Sequence, residues 1–208
     1  MSLLDLLNLS FNNFSGEVPK ELLTGCFQLQ ILDLSNNKFS GHLLSLNFNF
    51  TKLRVLKIND NQFSGTLSPK CSLMSYFDVN NNKMSDKIPT WICNNTNIDT
   101  LFLQNNFFKG QIPWKTIQIR HLDLSQNSLS GSLPSWSSER LEQLHLGQSN
   151  FSRSIPKAFF NILSLWTLDI SDNRLSGRIA SAIGELWGLR ILLPRGDRFE
   201  WRNFNSVV

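Results

Sequence analysis

Hydrophobic and polar positions alternate in short bursts along this chain, and the bursts return at a nearly fixed interval. In Leu29-Gln-Ile-Leu32-Asp-Leu34-Ser-Asn-Asn37-Lys-Phe39-Ser-Gly41-His-Leu43, Leu32 and Leu34 alternate with Asp33 and Ser35. That is the period of a short strand with one buried face. The frame L-x-x-L-x-L-x-x-N-x-F-S-G-x-I/L-P recurs with its asparagine slot at Asn12, Asn37, Asn61, Asn82, Asn106, Asn127, Ser149, Asn173 and Asp197. Successive slots lie 25, 24, 21, 24, 21, 22, 24 and 24 residues apart. So regular a period predicts stacked coils, about nine of them, each giving one strand to a parallel sheet on a concave inner wall.

Each slot of the frame has a physical role. An Asn at the exit of the strand carries donors and an acceptor for backbone groups that the turn leaves unpaired, so the asparagines should form a ladder down the coils. The apolar residue two places later (Phe14, Phe39, Phe63, Met84, Phe108, Leu129, Phe151 or Leu175) returns to the core. Sixteen Phe against one Tyr suit that position, because a buried ring without a hydroxyl needs no polar partner. Gly at the next turn (Gly16, Gly41, Gly65, Gly110, Gly131, Gly177) allows positive φ, and the Ile/Leu/Val-Pro pairs suit an extended segment.

Composition narrows the picture little further. At 208 residues, 41% hydrophobic and 17% charged, the repeats form one elongated unit over residues 1–200, followed by a divergent tail at 201–208. The formal charge of +4 is scattered, without the basic stripe that nucleic acid would require. Three cysteines, Cys26, Cys71 and Cys93, are too few for a disulfide framework. Cys71 and Cys93 fall on adjacent coils and could pair, but three buried thiols is the simpler reading. No apolar run approaches the ~20 residues of a membrane span, and Leu4, Leu7 and Leu9 fit the repeat frame rather than a signal peptide.

The Ser-Gly-x-Ile/Leu/Val-Pro insert, as in Phe14-Ser-Gly-Glu-Val-Pro19 and Leu129-Ser-Gly-Ser-Leu-Pro134, resembles the plant-specific class of leucine-rich repeats. Ile88-Pro-Thr-Trp-Ile-Cys93 and Leu192-Leu-Pro-Arg-Gly-Asp-Arg-Phe199 are similar to ectodomains of plant receptor-like proteins. The resemblance implies an α/β, right-handed leucine-rich repeat solenoid with a concave parallel β-sheet, its convex side 3-10 or irregular. It also implies an extracellular, non-catalytic receptor segment that meets a protein or peptide ligand, uses no cofactor, and signals through a co-receptor kinase in immunity or development. The family's end caps, membrane span and tail are not among these residues, and the ninth repeat decays at Pro194, Asp197 and Trp201. The expectation is therefore a fragment or truncated form of a longer receptor, with exposed core leucines at its ends. A secreted inhibitor of the polygalacturonase-inhibiting type and a receptor-kinase ectodomain are the alternatives.

Catalytic and metal motifs are missing: the three histidines, His42, His121 and His145, sit in no H-E-x-x-H, G-x-S-x-G or Cys/His spacing. His121 and His145 fall on adjacent coils, either as a metal- or pH-sensitive pair or as two solvated side chains, the second reading being preferred. The positions four, two and one before each anchor, and the one after it, should face the hollow. Most are bland Asp, Ser and Asn. The fifth repeat differs, with Phe102 and Phe107 around Gln104, near Lys57, Tyr76, Asp78, His121 and His145. Aromatic rings rimmed by polar groups are the composition of an interface hot spot. Among the N-x-S/T sequons, Asn49 and Asn94 lie outside the strand frame and are the expected glycan acceptors.

Overall fold

The structure, a computed structural model, describes residues 3–43, 51–67, 73–113, 118–136, 138–178 and 188–200, apart from the side chains of Leu23, Cys93 and Asn94. Each coil contributes two short strands. The first set is β1 (Leu6–Asn8), β3 (Ile31–Asp33), β5 (Val55–Lys57), β7 (Tyr76–Asp78), β9 (Thr100–Phe102), β11 (His121–Asp123), β13 (Gln143–His145), β15 (Thr167–Asp169) and β17 (Ile191–Leu193). They pair in that order into a nine-stranded parallel sheet, the concave wall. The second set is β2 (Ser15–Glu17), β4 (Lys38–Gly41), β6 (Gln62–Gly65), β8 (Lys83–Lys87), β10 (Phe107–Gly110), β12 (Ser128–Ser132), β14 (Asn150–Arg153), β16 (Arg174–Arg178) and β18 (Arg198–Glu200). This set forms a second nine-stranded parallel sheet, which the period-2 reading of the first strand did not anticipate. The return path carries α1 (Lys20–Gly25), α2 (Trp91–Asn94) and a 3-10 turn at Lys157–Asn161.

The middle residue of every inner strand from Leu32 to Leu168 is buried, as are Phe39, Phe63, Met84, Phe108, Leu129, Phe151 and Leu175 from the second sheet. Phe14, Phe39 and Phe63 stack ring on ring at 5.9 and 6.1 Å, so the apolar slot forms a spine. Phe14, in the first described coil, is 45% exposed. Cys26 is a buried free thiol, packed as a small apolar group. The Cys71–Cys93 pairing and the acceptor Asn49 lie outside the described residues; Asn94 falls at the end of α2, its side chain likewise outside them. Trp201 and the tail at 201–208 also lie outside them, while the ninth coil still adds β17 and β18 to their sheets despite Pro194.

The asparagine ladder is realised bond by bond. Asn61 donates through Nδ2 to Leu34 O at 2.9 Å in the preceding coil and to Ile58 O and Asn59 O in its own. Its Oδ1 accepts the Phe39 amide at 2.9 Å. Asn37, Asn82, Asn106, Asn127 and Asn173 keep the same carbonyl contacts. The residue just before each slot is left-handed: Phe11, Asn36, Asp60, Asn81, Asn105, Gln126, Gln148 and Asp172 have φ between 52° and 55°. That single reversal turns the chain out of the inner sheet and into the second one.

Candidate functional site

Because the inner strands pair in register, their third residues form one row across the concave sheet: Asp33, Lys57, Asp78, Phe102, Asp123, His145 and Asp169. Neighbours in such a row stand about 4.8 Å apart along the solenoid. Aspartate alternates with a different residue each time. In three coils the aspartate is anchored by the Ser two places on. Oδ1 of Asp33, Asp123 and Asp169 accepts both the amide and the hydroxyl of Ser35, Ser125 and Ser171. Asp78 Oδ1 accepts instead from the Asn80 amide and its Nδ2. These carboxylates therefore hold the strand exit, and Lys57, Phe102 and His145 are the residues that vary between them.

The structure brings Lys57, Tyr76, Asp78 and Phe102 together. Tyr76 lies diagonally between the other two variable side chains. Its ring meets Phe102 edge-on at a centroid distance of 6.0 Å, and Lys57 Nζ stands 5.4 Å from its centre. Lys57 Nζ is also 3.9 Å from Asp33 Oδ2. A cation over a tyrosine face beside a carboxylate is favourable on both counts. Asp78 is only 6% exposed. Burial pushes its carboxyl up to about 6, against the hydrogen bonds from Asn80 and the Lys57 ammonium. Burial likewise raises the Tyr76 hydroxyl, reinforced by the charges of Asp78 and Asp33.

Gln104 is half-buried at the exit of β9, in the slot that elsewhere caps an aspartate. With Phe102 where the carboxylate would be, its amide group has no Asp to donate to, and its Oε1 is enclosed and unpartnered. Asn80 Oδ1, in the same slot one coil earlier, is enclosed and unpartnered too.

Phe107 does not share this face. It opens β10 in the second sheet, opposite Ser85, and is 60% exposed. The left-handed Asn105 (φ 52°) and the Asn106 turn separate it from Phe102, so the position after each anchor belongs to the second sheet rather than the hollow. The histidines do not face each other either. His121 stands opposite Thr100 and Gln143, whereas His145 stands opposite Asp123 and Asp169. Adjacent strands place them two residues out of step.

His121 belongs instead to a charged network along the entry side of the strands. Its Nε2 is 3.7 Å from Glu142, and Arg120 bridges Glu142 and Asp99 at 3.6 and 3.5 Å. Arg140 donates to Asp99 at 2.8 Å. Sequence reasoning missed this network. Its signal was the run of charged residues directly before the strands, Asp99, Arg120 and Glu142, whose alignment only the register reveals. Among the described residues no group of His, Cys, Asp and Glu is placed to hold a metal ion, and no helix is long and apolar enough to cross a membrane.

Comparison with known proteins places this geometry. The Leucine Rich Repeat family pattern matches residues 3–24, 28–50, 118–139 and 164–186. Receptor-like protein 39 of Arabidopsis thaliana is 35% identical over 196 residues, which is 93% of this chain and 15% of that protein. Receptor-like protein 13 of the same plant is 43% identical over 58 residues, 28% of this chain and 5% of that protein. Among solved structures, the Arabidopsis receptor kinase HAESA, in complex with the peptide hormone IDA and the co-receptor SERK1, superposes with a TM-score of 0.81 at 28% identity. The superposition covers 95% of this chain and 38% of HAESA's. The chain thus spans less than a quarter of the receptor-like relatives it matches.

Proposed function

For a leucine-rich repeat chain whose relatives are plant receptor-like proteins, we propose that these coils are a ligand-recognising segment of a receptor ectodomain, with the ligand on the concave sheet at Lys57, Tyr76, Asp78 and Phe102. The observation that carries the reading is the Tyr76–Phe102 edge pair. Phe102 is the one apolar side chain in the third-residue row from Asp33 to Asp169, and its pair with Tyr76 is framed by a cation and a carboxylate. Rings with a polar rim dominate interface energies because they bury much area at little entropic cost. HAESA, at 28% identity, is seen holding a peptide hormone and a co-receptor. A peptide or protein ligand is accordingly the chemistry this face fits, and His145 and Gln104 extend the contact surface from either side.

The segment acts by binding rather than catalysis, outside the cell, and a partner kinase carries the signal inward. Phe107, on the second sheet, is available to a partner on that flank and not to the ligand. The test is a comparison of the wild-type chain with a Tyr76→Ala/Phe102→Ala double variant, both immobilised and exposed to the peptide fraction of plant extracellular fluid. The wild type should retain peptides that the variant releases. Retention of the same set by both would remove the reading.

A further inference from the structure

We propose that the Phe102 ring, between Asp78 and Asp123, is the seat for a basic side chain of an extended peptide, arginine above all. The inference rests on the concave-face reading and gives its ligand a chemical class. Its basis is a precedent inside the same sheet. Lys57 stands in register between Asp33 and Asp78, with its ammonium 3.9 Å from the Asp33 carboxylate and 5.4 Å from the Tyr76 ring. One coil supplies the cation, its neighbours the carboxylate and the ring.

Two strands further on, the arrangement recurs without its cation. Phe102 stands in register between Asp78 and Asp123, and its edge contact with Tyr76 fixes the ring. Lys57, in register beside Asp78, acts on it only at a distance, since its ammonium lies at Asp33 and Tyr76; His121 is engaged with Glu142, and Arg120 with Asp99 and Glu142. His145 lies one strand beyond Asp123, where it faces Asp169 as well. Both flanking carboxylates spend Oδ1 on the strand exit, at Asn80 and Ser125. Burial raises the pKa of each, against the Asn80 bonds and the Lys57 ammonium at Asp78 and against the Ser125 bonds and His145 at Asp123, so a further cation beside them is favourable.

A guanidinium satisfies this site better than an ammonium. It is planar, weakly hydrated, stacks on an aromatic face and presents several donors in its own plane, where carboxylates on either side can take them. Binding draws protons off Asp78, so affinity should rise between pH 5 and 7 and level off above. The other titratable groups around this face, Asp33, Lys57, Asp60, Tyr76, Asp123 and His145, are held in common between wild type and an Asp78→Asn variant, which should lose that part of the rise.

The experiment is selection of a random heptapeptide display library on the 208-residue chain, with counter-selection against Phe102→Ser, a half-buried surface position whose change leaves the core intact. Phe102-dependent binders rich in arginine or lysine, losing at least tenfold in affinity when that residue becomes citrulline or norleucine, or when Asp123 becomes Asn, are the expected result. Phe102-dependent binders that lack a basic residue, or that keep their affinity through those replacements, overturn this inference and leave the concave-face reading standing. A selection without any Phe102-dependent binder overturns both.

Discussion

The asparagine slot shows how much a single side chain can hold. Asn106 closes three carbonyls through Nδ2, and its Oδ1 accepts the Met84 amide at 2.8 Å. Replacing it with Ala leaves buried backbone groups unpaired, each costing about 1–3 kcal/mol, so Asn106→Ala should destabilise the chain by more than ~2 kcal/mol in urea denaturation. Two natural departures test the same logic in reverse. Ser149 is too short for the bonds, and its Oγ is enclosed without a partner. Ser149→Asn should raise stability by about 1–2 kcal/mol; an unchanged urea midpoint would contradict it. Asp197 accepts the Leu175 amide at 2.7 Å, yet its Oδ2 cannot donate to a carbonyl as Nδ2 does. Burial raises its pKa to about 6, with the Asp172 charge adding to the rise. The folded state thus prefers the protonated acid. Its contribution is full below the unfolded value near 4 and is lost as pH rises through about 6. Asp197→Asn should stabilise the chain at pH 7 and leave it unchanged at pH 4, a difference that thermal melts at the two pH values will read.

At the scale of the coil, backbone conformation and neighbouring side chains are matched. The turn residue four places after the slot is left-handed in every coil from Gly16 to Gly177, including Asp86 (φ 76°) and Arg153 (φ 71°), which stand where the others have Gly. A Cβ on Gly41 would come within 2.7 Å of Glu17, and one on Gly131 within 2.8 Å of Gln111, the side chain of the preceding coil that covers it. The residues in the covering position before Asp86 and Arg153 are Thr66 and Ser132, which are small. Space is made, but the left-handed strain of about 1–2 kcal/mol remains, less the ~0.5–1 kcal/mol entropic cost of glycine. Asp86→Gly and Arg153→Gly should each raise stability by about 1 kcal/mol, and a lowered urea midpoint would refute the account of this turn. The glycine turns, the ladder and the inner strands were legible in sequence because each depends on a local pattern that repeats. The second sheet was not. Its strands begin just after the left-handed residue, and sequence spacing alone does not say that Phe107 turns away from the face that carries Phe102.

Across the whole molecule, stability and recognition use different residues. The repeating slots make neighbour-on-neighbour contacts, and at the third residue of the inner strand some coils use an aspartate to hold the strand exit while those with Lys57, Phe102 or His145 stack without one. Variation there is consequently free to carry information, which is why Lys57, Phe102 and His145 stand out against the capped aspartates. Sequence alone placed these residues on one wall. It could not show that Tyr76 links Lys57 to Phe102, that the histidines fall out of step, or that Arg120 gathers Asp99 and Glu142, since each depends on register between distant coils. The most direct test places a benzoylphenylalanine photo-crosslinker at Phe102 in one sample and at Phe107 in another, each mixed with a heptapeptide selected on the wild-type chain. The two positions are five residues apart in one coil, on different sheets. The account predicts a peptide adduct from position 102 and none from position 107; an adduct from 107 alone, or from neither, would contradict it.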